Sequence, residues 1–150
     1  MKPLIVLLTV FGLSCLATFI TAGTPNFYFS GRMAMTIMLV FTSIAHFKFN
    51  KGMMLMLPSF IPYKKMIIYL TGVIEILLGI GLILDKVRHP IAWIIILFFV
   101  LLLPANIYAA KNKTDLEKAN YEGKGLSYLW FRIPLQLFFI GWVYYFGLLN

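Results

Sequence analysis

The stretch MIIYLTGVIEILLGIGLIL, Met66 to Leu84, decides the fold class. It carries a single charged residue, Glu75, in an otherwise apolar run. As a helix rising ~1.5 Å per residue it is long enough for a bilayer core of about 30 Å. A transmembrane strand would be about half as long and would alternate, which this run does not. In lipid every backbone polar group needs a partner within the segment, which a helix supplies.

Four further runs of this kind are Leu4–Ala22, Arg32–Phe49, Ile91–Ala110 and Leu126–Leu149. The expectation is an all-α polytopic membrane protein, its 150 residues forming a single integral domain. Composition agrees: 61% of residues are hydrophobic, 17% aromatic and only 12% charged, about half the charged share of an ordinary soluble domain. The net charge of +8 does not point to nucleic acid, because the lysines flank apolar runs instead of forming a basic stripe. Topology signals and anionic lipid headgroups account for it better. Membrane lipids are therefore the first expected partners.

The lysines also set an orientation. With a cytoplasmic N-terminus, Lys2, Lys48, Lys51, Lys64, Lys65, Lys111, Lys113, Lys118 and Lys124 fall inside, and only Lys86 and Arg88 fall in an outer loop. That bias predicts a cell-membrane protein with its N-terminus in the cytoplasm and its C-terminus outside. Residues 1–23 read as a retained anchor, with a cleaved secretory signal as the alternative. Cys15 is the single cysteine, so the chain can form neither an internal disulfide nor a dithiol relay.

Six polar residues interrupt the apolar runs: Arg32, His46, Glu75, Asn106, Arg132 and Gln136. Such groups are costly at membrane depth and commonly mark a functional interior. Arg132 and Gln136 are four apart and stack on one helix face. Gly72 and Gly79 flank Glu75 and lower the helix wall, letting a neighbouring helix approach. Pro104 frees a backbone carbonyl one turn back from itself, near Asn106. Arg32 lies near the outer end, roughly 21 Å along the helix from His46, and is expected to snorkel to the headgroups. The other five gather in the cytoplasmic half and are the candidate ligand-binding residues: His46, Glu75, Asn106, Arg132 and Gln136. An ion pair between Glu75 and Arg132 is expected, since each would be costly alone.

Several chemistries are excluded. A bis-histidine haem needs two intramembrane histidines, and only His46 qualifies, His89 lying in an outer loop. No spacing suggests a di-metal site, so neither haem nor metal is expected. Ser43 and Ser59 have no paired base, and there is no Gly-rich phosphate loop. What is left suits a lipophilic carbonyl compound such as a quinone, proton handling, or a partner's transmembrane helix. Between the spans, the loop Lys51–Lys65 is too apolar to be free, with Pro58 and Pro62 breaking it, and reads either as a re-entrant segment or as a connector pressed into the interface. The loop Lys111–Gly125 mixes Lys, Asp and Glu and is expected to carry no site.

The order Arg32, Ala45-His46-Phe47, Met56-Leu57-Pro58-Ser59-Phe60-Ile61-Pro62, Thr71-Gly72-Val73-Ile74-Glu75, Leu103-Pro104-Ala105-Asn106-Ile107-Tyr108 and Arg132-Ile133-Pro134-Leu135-Gln136 resembles the DoxX-like family of small membrane proteins, over roughly Arg32 to Trp142. The resemblance implies a four-helix transmembrane bundle, to which the N-terminal helix is an addition. It also implies an accessory or quinone-binding role in a membrane redox system, with a membrane redox protein as partner. The alternative is a non-enzymatic protein that assembles or stabilises another membrane protein.

Overall fold

The computed structural model describes residues 2–149. Its order is α1 (Lys2–Ala22), α2 (Phe27–Lys48), a short α3 (Asn50–Leu55), α4 (Lys64–Ile83), α5 (Arg88–Lys111) and α6 (Leu126–Val143), which runs on into a π-helical turn over Tyr144–Leu148. Among the described residues there is no strand, only an isolated bridge between Asp115 and Asn120. Among the described residues five helices are long and apolar enough to cross a membrane: α1, α2, α4, α5 and α6 with its π turn.

Helix boundaries follow local chemistry. α2 begins five residues before Arg32, because the Asn26 side chain accepts from the Phe29 N–H at 3.0 Å and caps it. α5 begins at Arg88, earlier than the apolar run. Pro90 sits in its first turn, where a missing N–H costs nothing. α6 starts after Gly125, whose φ of 65° favours glycine. Pro104 and Pro134 lie inside α5 and α6. Each removes one intrahelical hydrogen bond without ending its helix.

α2 is the most buried of the long helices and α1 the least. α4 packs closely along α2 because glycines face it: a Cβ on Gly72 would lie 2.8 Å from His46 Cβ, and one on Gly79 3.3 Å from the Thr36 carbonyl. The Thr36 hydroxyl donates to the Gly79 carbonyl at 2.7 Å across this seam. The core is built from Leu7 of α1, Met35, Met38 and Leu39 of α2, Leu78 and Leu82 of α4, Ile95 and Phe99 of α5, and Phe139 and Val143 of α6. Away from the cavity described below, Phe11, Trp142 and Phe146 form an aromatic cluster where α1 meets α6, and Trp142 Nε1 donates to the Gly31 carbonyl at 2.9 Å.

At the lysine-rich end the 50–63 segment folds against the bundle. Lys64 Nζ donates to the Leu57 carbonyl at 2.9 Å, and Tyr63 takes a left-handed conformation before α4. Gly52 is buried and meets the backbone of Leu116 so closely that no side chain fits there. The 112–125 loop is a compact clasp. Gly123 N–H donates to the Lys113 carbonyl at 2.6 Å, Asp115 N–H to the Asn120 carbonyl at 2.8 Å, and Asp115 Oδ1 accepts from the backbone of Glu117 and Lys118. Lys2 Nζ reaches Glu117 at 2.5 Å and ties α1 to it.

Arg32 departs from the snorkelling expectation. It is buried, and its Nη1 pairs with Asp85 Oδ1 at 2.7 Å. Arg88 reaches the same carboxylate oxygen at 3.4 Å. Asp85, in the α4–α5 turn, thus supplies a counter-charge within the protein.

Candidate functional site

α2, α4, α5 and α6 surround a cavity of about 300 Å³, and all five candidate residues line it: His46, Glu75, Asn106, Arg132 and Gln136. Its other walls are mainly apolar, including Met38, Phe99, Leu102 and Phe139. His46, Glu75 and Gln136 are buried, whereas Asn106 and Arg132 are half-buried.

The polar groups fall into three sets. In the first, Nδ1 of His46 lies 3.0 Å from the Ile68 carbonyl and 3.0 Å from the Thr71 hydroxyl, which itself donates to Ile68 at 2.9 Å. A carbonyl only accepts, so Nδ1 carries the hydrogen on this side. The other nitrogen, Nε2, faces Glu75 Oε1 at 3.5 Å, and the Thr42 hydroxyl donates to Glu75 Oε2 at 3.3 Å. In the second set, Asn106 Nδ2 donates to Gln136 Oε1 at 3.0 Å, and Gln136 Nε2 donates to the Phe99 carbonyl. That acceptor is the neighbour of Val100, whose carbonyl Pro104 leaves without its helical partner.

Arg132 forms the third set alone. The expected Glu75–Arg132 ion pair is not formed. Among the described residues the Arg132 guanidinium has neither a carboxylate nor a hydrogen-bond acceptor, and it rests 5.4 Å from the centre of the Tyr128 ring. The reason is packing: the close α2–α4 seam hands Glu75 to His46 and Thr42, and α6, which carries Arg132, packs mainly against α5.

Other lining residues were missed by the sequence reading. Thr42 and Thr71 each sit four residues before a buried polar residue of their own helix, Thr42 before His46 and Thr71 before Glu75, a spacing that places hydroxyls on the same faces; each hydroxyl then meets the polar residue of the other helix. Met53, Met56 and Leu57 of the 50–63 segment and Leu116 of the clasp also line the cavity. The clasp is therefore not merely a solvated connector. Its signal was Leu116, the one large aliphatic residue between Lys111 and Gly125.

A larger chamber of about 750 Å³ adjoins the cavity toward the lysine-rich end. Arg132, Asn106, Thr42 and Leu116 line both spaces. Lys2, Lys48, Lys124, Asp115 and Glu117 line only the outer one.

No curated protein matches the chain, and no solved structure does. The resemblance to the DoxX-like family is overturned, because the family model that matches is a different one. The segments behind that resemblance are short and centred on buried polar groups or prolines, features that many polar-lined membrane bundles need for physical reasons alone. The match covers residues 35–147, from α2 to the π turn beyond α6, and lies outside α1. The chain belongs to the family described as a domain of unknown function (DUF8561).

Proposed function

We propose that this chain is an integral protein of the cell membrane, N-terminus inside, that binds a lipophilic, oxygen-bearing small molecule in the cavity between α2, α4, α5 and α6. The carrying observation is Arg132: a guanidinium on an apolar cavity wall with no acceptor among the described residues. Such a group is costly unless something accepts its hydrogen bonds, and a bound oxygen would do so.

The remaining polar groups narrow the contact. His46 and Glu75 are engaged with each other and Gln136 with Asn106 and backbone, whereas among the described residues Asn106 keeps one amide hydrogen and its carbonyl oxygen uncommitted. Arg132 and Asn106 are thus the donors best placed for a ligand oxygen. The cavity volume is at the lower end for small-molecule sites, enough for a ring or a short chain. A quinone headgroup is the first ligand to try. The link to a redox system came only from the DoxX-like resemblance and is not part of this proposal.

The test is a titration of the purified full chain, in non-ionic detergent, with a short-chain quinone, read by thermal stability. A saturable rise that weakens at least tenfold in Arg132→Gln is expected. No rise, or a rise indifferent to Arg132→Gln, overturns the quinone assignment.

A further inference from the structure

We propose that the preferred ligand is an anionic amphiphile, with a phosphate or carboxylate head in the outer chamber, held by Arg132, Lys48 and Lys124, and an apolar chain in the inner cavity. This rests on the reading of the cavity as a site for lipophilic molecules and narrows the class of molecule.

The two chambers differ in chemistry along one line. The inner one is walled by residues such as Phe99, Leu102 and Phe139. Apart from Arg132, which lines both, the cations lie only in the outer one. Arg132 therefore marks the junction, where the head of an amphiphile would meet its chain.

The charges of the outer chamber do not cancel. Lys2 and Glu117 neutralise each other at 2.5 Å. Asp115 uses Oδ1 to accept from two backbone N–H groups of its own clasp. Lys48, Lys124 and Arg132 remain, and none of them forms an ion pair among the described residues. Lys48 Nζ lies 5.5 Å from the centre of the Phe49 ring, and the Arg132 guanidinium 5.4 Å from that of Tyr128. The Thr114 hydroxyl, buried on the same wall, is also without a hydrogen-bond partner. With Asp115 counted as one negative charge, these three cations leave the outer chamber an excess of two positive charges, which a neutral ligand would not offset. A bare inorganic anion would leave the apolar chamber without an occupant. One molecule with both parts answers both.

The full chain in non-ionic detergent is titrated with decyl phosphate, decanoate, decanol and inorganic phosphate. Decyl phosphate and decanoate are expected to bind saturably, at least tenfold more tightly than either decanol or inorganic phosphate. Arg132→Gln, and separately the exposed pair Lys48→Gln with Lys124→Gln, should weaken decyl phosphate at least tenfold, and the lysine pair, which lies only in the outer chamber, should leave decanol unchanged. Decanol binding as well as decyl phosphate, phosphate binding as well as decyl phosphate, or indifference to both variants overturns the proposal. If decanol or a quinone binds but the charged head adds nothing, this inference alone fails. If no lipophile binds, the cavity reading fails with it. Competition by a phosphatidic acid in mixed micelles would assign the head to a membrane lipid, and lack of competition to a free single-chain amphiphile; both support the proposal.

Discussion

His46 Nε2 lies 3.5 Å from Glu75 Oε1, while the opposite ring nitrogen is held by the Ile68 carbonyl. The two side chains come from α2 and α4, the helices that approach most closely through Gly72 and Gly79. With Nδ1 carrying a hydrogen toward the carbonyl, a proton on Nε2 or on the carboxyl turns the His46–Glu75 line into an attraction. Without one, lone pairs face each other.

This partnership predicts which residues are coupled. A double-mutant cycle on stability with His46→Ala and Glu75→Ala should give an interaction of about 1 kcal/mol or more, as expected for side chains in contact. The corresponding cycle for Glu75 and Arg132 should be additive to within about 0.5 kcal/mol. Strong coupling in the second cycle would show that Arg132, and not His46, is the partner of Glu75.

The α2–α4 seam makes a sharper prediction at glycine. Gly72→Ala would push a methyl to 2.8 Å from His46 Cβ, so the helices must separate, at about 1–3 kcal/mol. Gly141→Ala on α6 meets nothing within 4 Å and should be neutral, or stabilising by up to about 1 kcal/mol through helix propensity. Denaturation midpoints of the two variants, measured side by side in detergent, check the contrast. Equal midpoints would remove the seam.

Gln136 joins α6 to α5 through both ends of its amide. Gln136→Leu should leave the Asn106 amide and the Phe99 carbonyl short of a partner, at about 1–2 kcal/mol. Asn106→Leu in the same background should cost less than it does alone, because the bond it would break is already gone. Independent losses would mean that the two amides are not paired in solution.

The lysine bias predicts sidedness. A reporter fused after Asn150 should read as extracytoplasmic, and one placed in the 112–125 clasp as cytoplasmic. The reverse result at either position would end the five-span arrangement proposed for the membrane.

Much of this was legible in the chain before any coordinates. Run length and the absence of alternation were enough for the five long, apolar helices, because a run of that length without alternation fits a helix and not a half-buried strand. The gathering of His46, Glu75, Asn106, Arg132 and Gln136 on one cavity followed from their common place in the lysine-rich half of their helices. Partner choice was not legible. Pairing Glu75 with Arg132 used charge alone, whereas which helices touch is set by small residues, and Gly72 had already placed α2 against the carboxylate. Arg32 was misplaced for a related reason: its partner Asp85 lies fifty-three residues away, in a turn whose position depends on how α4 and α5 pack. The contribution of the clasp rested on Leu116, one apolar residue whose direction only the fold could supply.

The aromatic cluster around Trp142 has a spectroscopic consequence. Trp130 and Trp93 are exposed, at 86% and 58%, whereas Trp142 is half-buried, with its indole N–H tied to Gly31 and its ring against both Phe11 and Phe146. In bilayers of brominated lipid the first two should lose most of their fluorescence and Trp142 should keep most of its own. A chain carrying Trp93→Phe and Trp130→Phe would then hold a single emitter at the junction of α1, α2 and α6. Its intensity would report any loosening of that junction without a chemical label.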